Sequence, residues 1–157
     1  MTKLGRLAPQ LRMRLGVSGQ RLTTGNWAEL QRSFTAKEVL DFANLSGDLN
    51  PLHIDAEIAK SSIFGKQIVH GMLTGSLFST LFASHLPNSI YLSQDFRFKA
   101  PTYLDETIIA RLGVRQVRTR SDRSRIVLCD TILYRSTNQE LLLTGEASVL
   151  VTAESDE

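Results

Sequence analysis

The sequence predicts an α+β domain in which a curled antiparallel sheet wraps around one long helix. Three observations carry that prediction. Between Gly71 and Leu86, the residues Met72, Leu73, Leu77, Phe78, Leu81, Phe82 and Leu86 recur at three- and four-residue steps with small residues between them, the pattern of a helix buried on more than one side. Behind it, residues 90–98, 107–117, 126–134 and 141–151 read as four strands separated by turn-forming residues. A helix covered that widely needs a wrapper, and four consecutive strands with short connections supply an antiparallel one.

The bulk properties agree with one such domain. The chain has 157 residues, 42% hydrophobic and 22% charged, the balance of an ordinary globular protein. The most apolar stretch, residues 68–86, is interrupted by His70, Gly71, Thr74, Gly75, Ser76, Ser79 and Thr80, so no membrane span is expected. The single cysteine, Cys129, excludes an intrachain disulfide framework and a cysteine-rich zinc site. The sequence offers no P-loop, no dinucleotide glycine fingerprint and no cluster with metal-ligand spacing, so neither cofactor nor metal is expected.

Charge divides the chain in two. Residues 1–28 carry Lys3, Arg6, Arg12, Arg14 and Arg21 and no acid, which leaves 13 basic and 16 acidic residues in the body, a net −3. The leader spaces Leu4, Leu7, Leu11 and Leu15 at three- and four-residue intervals and lacks a continuous apolar core, the traits of a mitochondrial transit peptide. A basic arm that touches RNA or anionic lipid is the alternative; no aromatic residue is interleaved with the bases, and the acidic body counts against a nucleic-acid partner. Residues 1–27 are therefore set apart as leader and residues 28–157 as the domain.

The domain begins with Trp27, Leu30 and Phe34 in a short strand that turns at Thr35 into a helix, since Thr35 and Glu38 have the spacing of a capping box. Val39, Leu40, Phe42, Ala43 and Leu45 make that helix amphipathic, and Ser46-Gly47 ends it. Asp48 to Pro51 reads as loop, because Pro51 bars the helical conformation at Asn50. A short helix over 55–62 is closed by Ile63-Phe64-Gly65 ahead of the long one. In the first strand behind it, Ile90, Leu92, Gln94, Phe96 and Phe98 alternate with polar neighbours and with Tyr91. Residues 101–106 form a turn, residues 118–125 a charged hairpin connection, and Ser136-Thr137-Asn138 the last turn, before an acidic tail.

The stretch with chemical content is S-G-D-L-N-P-L-H, in which Asp48 and His53 stand five residues apart across a loop bracketed by glycine and proline. A turned loop can bring the carboxylate and imidazole to one water, and such a pair suits proton exchange in both directions. Asp48 equally suits an Asx turn or helix cap, and His53 a packed side chain. Gly71 opens the long helix, where a backbone N–H without a partner could face a developing oxyanion; tight packing at a helix start explains it as well. His70 reads as a capping or packing residue, and His85 suits the C-terminal end of the helix dipole. Arg97, Lys99 and the cluster from Arg115 to Arg125 would meet phosphates or an acidic carrier, or else protect solvated strand edges.

Taken together, S-G-D-L-N-P-L-H, the I-V-H-G-M helix start and the later Q-D-F-R-F-K-A-P-T-Y-L-D-E-T strand resemble the MaoC-like group of hot-dog-fold proteins, the R-specific enoyl-thioester hydratases of type 2. The resemblance covers residues 27–152, and the leader makes the chain most similar to the mitochondrial 3-hydroxyacyl-thioester dehydratases of type 2 in that group. It implies a single hot-dog domain that works as a homodimer in the mitochondrial matrix and reversibly dehydrates (3R)-3-hydroxyacyl thioesters of acyl carrier protein or coenzyme A. It implies Asp48 and His53 as the catalytic pair, Asn50 as support of their loop, and the Gly71 N–H as receiver of the thioester oxygen. It further implies an acyl tunnel, for which Phe42, Leu45, Phe64, Met72 and Phe78 are the candidates. A thioesterase on the same scaffold and a non-catalytic RNA-binding module are the rival functions.

Overall fold

Local sequence signals set the first half of the fold. The computed structural model describes residues 12–15, 22–121 and 124–152. Strands β1 (Arg12–Leu15) and β2 (Trp27–Arg32) precede helix α1 (Ala36–Ser46). The expected capping box is present: Thr35 Oγ1 accepts the Glu38 N–H while Glu38 accepts the Thr35 N–H. Gly47 ends α1 at φ 80°, and its N–H bonds the Ala43 carbonyl. Two short helices follow, α2 (Pro51–Ile54) and α3 (Ala56–Lys60), then the long α4 (Gly71–His85).

The second half is the sheet. Strands β3 (Ile90–Gln94), β4 (Arg97–Phe98), β5 (Ile108–Ser121), β6 (Ser124–Arg135) and β7 (Leu141–Thr152) join β1 and β2 in one antiparallel sheet of order β1-β2-β5-β6-β7-β3, with β4 also on β7. Along β6, Val127, Cys129, Thr131 and Leu133 are buried at every second position, which turns one face of the sheet toward α4. Phe78, Leu81 and Phe82 of α4 meet Leu30, Ile108 and Val149 in the core. Each such side chain contributes about 1.5–3 kcal/mol by leaving water.

Four features differ from the sequence reading. Helix α4 is buried along Thr74, Gly75, Leu77, Phe78, Leu81 and Phe82 only; Met72, Ser76, Ser79 and Ala83 form an exposed stripe on the opposite side. The strand expected over 90–98 is broken at Asp95, whose main chain crosses Gly145 so closely that a Cβ there would lie 1.9 Å from the Asp95 carbonyl oxygen. Its apolar residues are not the buried set, since Ile90, Leu92 and Phe98 are exposed. The charged residues 118–121 and 124–125 belong to β5 and β6, not to a connection. Finally, order begins before residue 28. Arg12–Leu15 pairs with β2, Leu22 packs against the core, and the Gly25 N–H bonds the Val114 carbonyl at 2.9 Å.

Candidate active site

Helix α2 brings the imidazole into place. Asn50 caps it by accepting the Leu52 N–H on Oδ1 at 3.1 Å, and Pro51 occupies the first helical position, where its fixed φ suits the helix and its missing N–H is not needed. His53 therefore sits on a short helix that the sequence reading, with a loop over 48–51 and the next helix from 55, did not include, and the Asn50-Pro51 pair was the sequence signal for it. Its ring is buried at the inner side of α2, and Nδ1 donates to the Ile68 carbonyl at 2.8 Å. That bond fixes the tautomer and leaves the Nε2 lone pair available as a base. Burial pushes the His53 pKa below the ordinary histidine range, the bond to Ile68 and the Asp48 carboxylate opposing and the neighbouring His70 reinforcing that shift.

Asp48 follows the left-handed Gly47 on the exposed side of the same corner. Its N–H donates to Ser46 Oγ at 3.2 Å and its Oδ1 accepts the Asn50 N–H at 3.3 Å, so the Asx turn is formed. The turn and the acid–base reading are compatible, because a carboxylate has a second oxygen and further lone pairs. Ligand-type atoms of Asp48, His53 and His70 all lie within 4.8 Å of one another. The sequence spacing gave no such cluster, and among the described residues these three could hold a divalent ion. The His53 and His70 rings, however, stack with centroids 3.8 Å apart and planes tilted by 30°. In-plane lone pairs of rings so nearly parallel converge poorly on one ion at the ~2.0–2.1 Å nitrogen–metal distance. The arrangement suits proton exchange better than metal binding.

The site continues into a cavity of about 460 Å³, whose lining includes Asp48, His70, Gly71, Phe64, Met72 and Phe98. Gly71 is the first residue of α4, so its N–H has no partner within the helix, and no side chain caps that terminus. A Cβ on Gly71 would lie 2.6 Å from the Phe98 ring, which explains the absence of a side chain here. The far wall includes Lys99, singled out from the sequence for its charge, while Ala100, Pro101, Thr102, Leu133 and Leu142 were not foreseen. It is held by the Val69 N–H to the Thr102 carbonyl at 2.7 Å and by Arg135, which pairs with Glu106 and donates to the Pro101 carbonyl.

The tunnel candidates separate. Phe64 and Met72 line the cavity. Phe42 does not; its ring faces His70 at 5.0 Å. Leu45 is 85% exposed, and Phe78 is wholly buried in the core. His70, expected to cap or pack, makes no capping bond and is 1% exposed. Asn50 is exposed and caps α2. Arg115 pairs with Glu146 and Asp130, and Arg97 with Asp95, so neither is a free phosphate ligand.

A carboxylate with a buried imidazole within 4.8 Å of it, next to a largely apolar cavity that the carboxylate and Gly71 line, is an arrangement suited to acid–base chemistry on a carbonyl compound. Comparison with known proteins makes the assignment narrower. Residues 18–132 match the MaoC like domain family, and the chain belongs to it. It is 41% identical to the (R)-specific enoyl-CoA hydratase of Aeromonas caviae over 135 residues, 85% of this chain and 98% of the relative. It is 35% identical to the mitochondrial 3-hydroxyacyl (acyl-carrier-protein) dehydratase FERN of Solanum lycopersicum, covering 85% of this chain and 80% of that one. Among solved structures, the (R)-hydratase from A. caviae involved in PHA biosynthesis superposes with a TM-score of 0.77 at 40% identity, over 85% of this chain and 99% of that one. The fold is the hot-dog α+β fold, and the relatives are hydro-lyases.

Proposed function

We propose that this protein reversibly dehydrates (3R)-3-hydroxyacyl thioesters to trans-2-enoyl thioesters and water. The observation that supports this most directly is the proximity of Asp48 and His53, whose side-chain ligand atoms lie within 4.8 Å of one another, beside a cavity that Asp48 and Gly71 line. In the dehydration direction the pair takes the proton from carbon 2 and passes a proton on to the leaving hydroxyl, so the C3–O bond breaks, water departs and the pair ends with the protons it began with. Hydration runs the same steps in reverse. Charge reaching the thioester oxygen is stabilised by the Gly71 N–H; one such donor commonly contributes about 3 kcal/mol. Asn50 keeps the loop in register, and Phe64 and Met72 contact the acyl chain.

Acyl carrier protein is the proposed physiological carrier, coenzyme A serving in its place in assays, and the setting is mitochondrial fatty acid synthesis in the matrix. The acid-free basic leader and the mitochondrial relative support that setting. The working unit is a homodimer, supported by the exposed Ile90 and Leu92 on β3 at one edge of the sheet. Edge strands are ordinarily short, charged or covered, and an apolar one wants a partner.

The test is incubation with crotonyl coenzyme A. Hydration removes the enoyl absorbance without releasing thiol, whereas thiol release would identify a thioesterase. Asp48→Asn and His53→Ala should each lower turnover by about 100-fold or more with the fold intact. Near-normal turnover in purified His53→Ala would defeat the proposal.

A further inference from the structure

We propose that His70 is a positioning residue for the acid–base pair, holding the Asp48 main chain with the edge of its ring and the His53 imidazole with its face. The proposal rests on the hydratase reading above. His70 is 1% exposed, and its Nε2 lies 3.0 Å from the Asp48 carbonyl oxygen. A carbonyl only accepts, so Nε2 carries the proton and Nδ1 is bare. Nδ1 is buried and has no hydrogen-bond partner among the described residues. Packing alone does not account for an imidazole there, because an apolar ring would fill the space without leaving a buried nitrogen unpartnered.

What the imidazole adds is a link between three parts of the site. The other bonds of the Asp48 loop are local, to Ser46 and Asn50, whereas the His70 bond ties it across 22 residues to the start of α4. The His70 ring lies 3.8 Å from the His53 ring and 5.0 Å from the Phe42 ring, centroid to centroid, so His53 cannot move toward His70 without displacing it. His70 is also the residue before Gly71, so the same anchor fixes the peptide that presents the amide. Phe42, placed by the resemblance among substrate contacts, packs here against His70.

The test compares wild type, Asp48→Asn, His70→Phe and His70→Gln on crotonyl coenzyme A, with melting temperatures alongside. His70→Phe retains a ring but loses the bond; it should lower kcat by roughly 10- to 100-fold with KM within about twofold. His70→Gln restores a donor of similar reach and should recover at least about tenfold of that loss. Wild-type kcat in His70→Phe overturns the proposal, as does an equal loss in both variants that follows their melting temperatures. Long-range nitrogen–proton spectra of the histidine rings give a readout independent of turnover. They should show His70 protonated on Nε2 alone, and a proton on Nδ1 overturns the proposal. If wild type leaves crotonyl coenzyme A unchanged, the hydratase reading fails, and the ring spectra still decide the role of His70.

Discussion

Gly71→Ala separates the two reasons for a glycine at the start of α4, close packing and access to an amide. A methyl at this position would meet the Phe98 ring at 2.6, 2.8 and 3.3 Å, well inside ordinary contact, so the ring has to withdraw by about 1 Å. Phe98 is 55% exposed and can move, which places the strain at the low end of the usual ~1–3 kcal/mol for overpacking. Gly71 has no positive φ, and alanine restricts the unfolded chain, a gain of about 0.4–1 kcal/mol. The net destabilisation is therefore about 0–2 kcal/mol, a fall in melting temperature of several degrees at most for a chain of this size. Turnover should fall much further, by about 100-fold, because the methyl and the displaced ring crowd the approach to the N–H. Combining the change with Phe98→Ala should restore the melting temperature without restoring kcat on crotonyl coenzyme A. Full activity in Gly71→Ala, or full recovery of activity in the double variant, would show that the amide does not receive the oxyanion.

The remaining predictions concern titration, assembly and the leader. Burial holds His53 and His85 below the ordinary histidine range, so unfolded chains take up protons first as the pH falls. Stability is complete above about pH 6.5 and declines below it toward the folded values; His85→Gln should flatten that decline in melting temperature between about pH 7.5 and 5.5, and an unchanged slope would contradict it. Leu92→Arg on the exposed edge of β3 should convert a sedimenting dimer to monomer, and a monomeric wild type would dismiss the dimer. Residues 1–21 fused to a fluorescent protein should direct it into mitochondria, and cytosolic retention would remove the targeting role. Their deletion should leave the body folded, since β1 pairs with β2 alone, whereas Leu22 and Gly25 belong to the core side of the boundary.

What the sequence made legible was what neighbouring residues decide. The capping box at Thr35, the glycine stop at Gly47 and the start of α4 each depend on contacts within a few positions, and all are present. The 118–125 stretch misled because charge was read as loop. Arg118 pairs with Ile126 and Thr119 with Arg125 in a ribbon whose outer end is exposed, where arginine is as acceptable in a strand as in a turn. The leader hid β1 for a related reason, since backbone pairing with β2 asks nothing of hydropathy. Asp95 broke the strand over 90–98 because Gly145, fifty positions away, admits its carbonyl.

The same division runs through the site. Asp48, His53 and Gly71 stood out by type and spacing, but the atoms that orient them come from other elements: the Ile68 carbonyl sets the His53 tautomer, and Phe98 of β4 lies over Gly71. The exposed side of α4 and the apolar edge of β3 follow the same logic one level higher. Met72 and Phe98 line the cavity yet are 61% and 55% exposed, so the mouth of the site is as open as the faces around it. Exposed apolar surface of that kind marks a ligand groove or an interaction site. A second copy docking along β3 would cover the exposed Ile90 and Leu92, so the Leu92→Arg variant, assayed for turnover as well as assembly, tells whether the site depends on the proposed dimer.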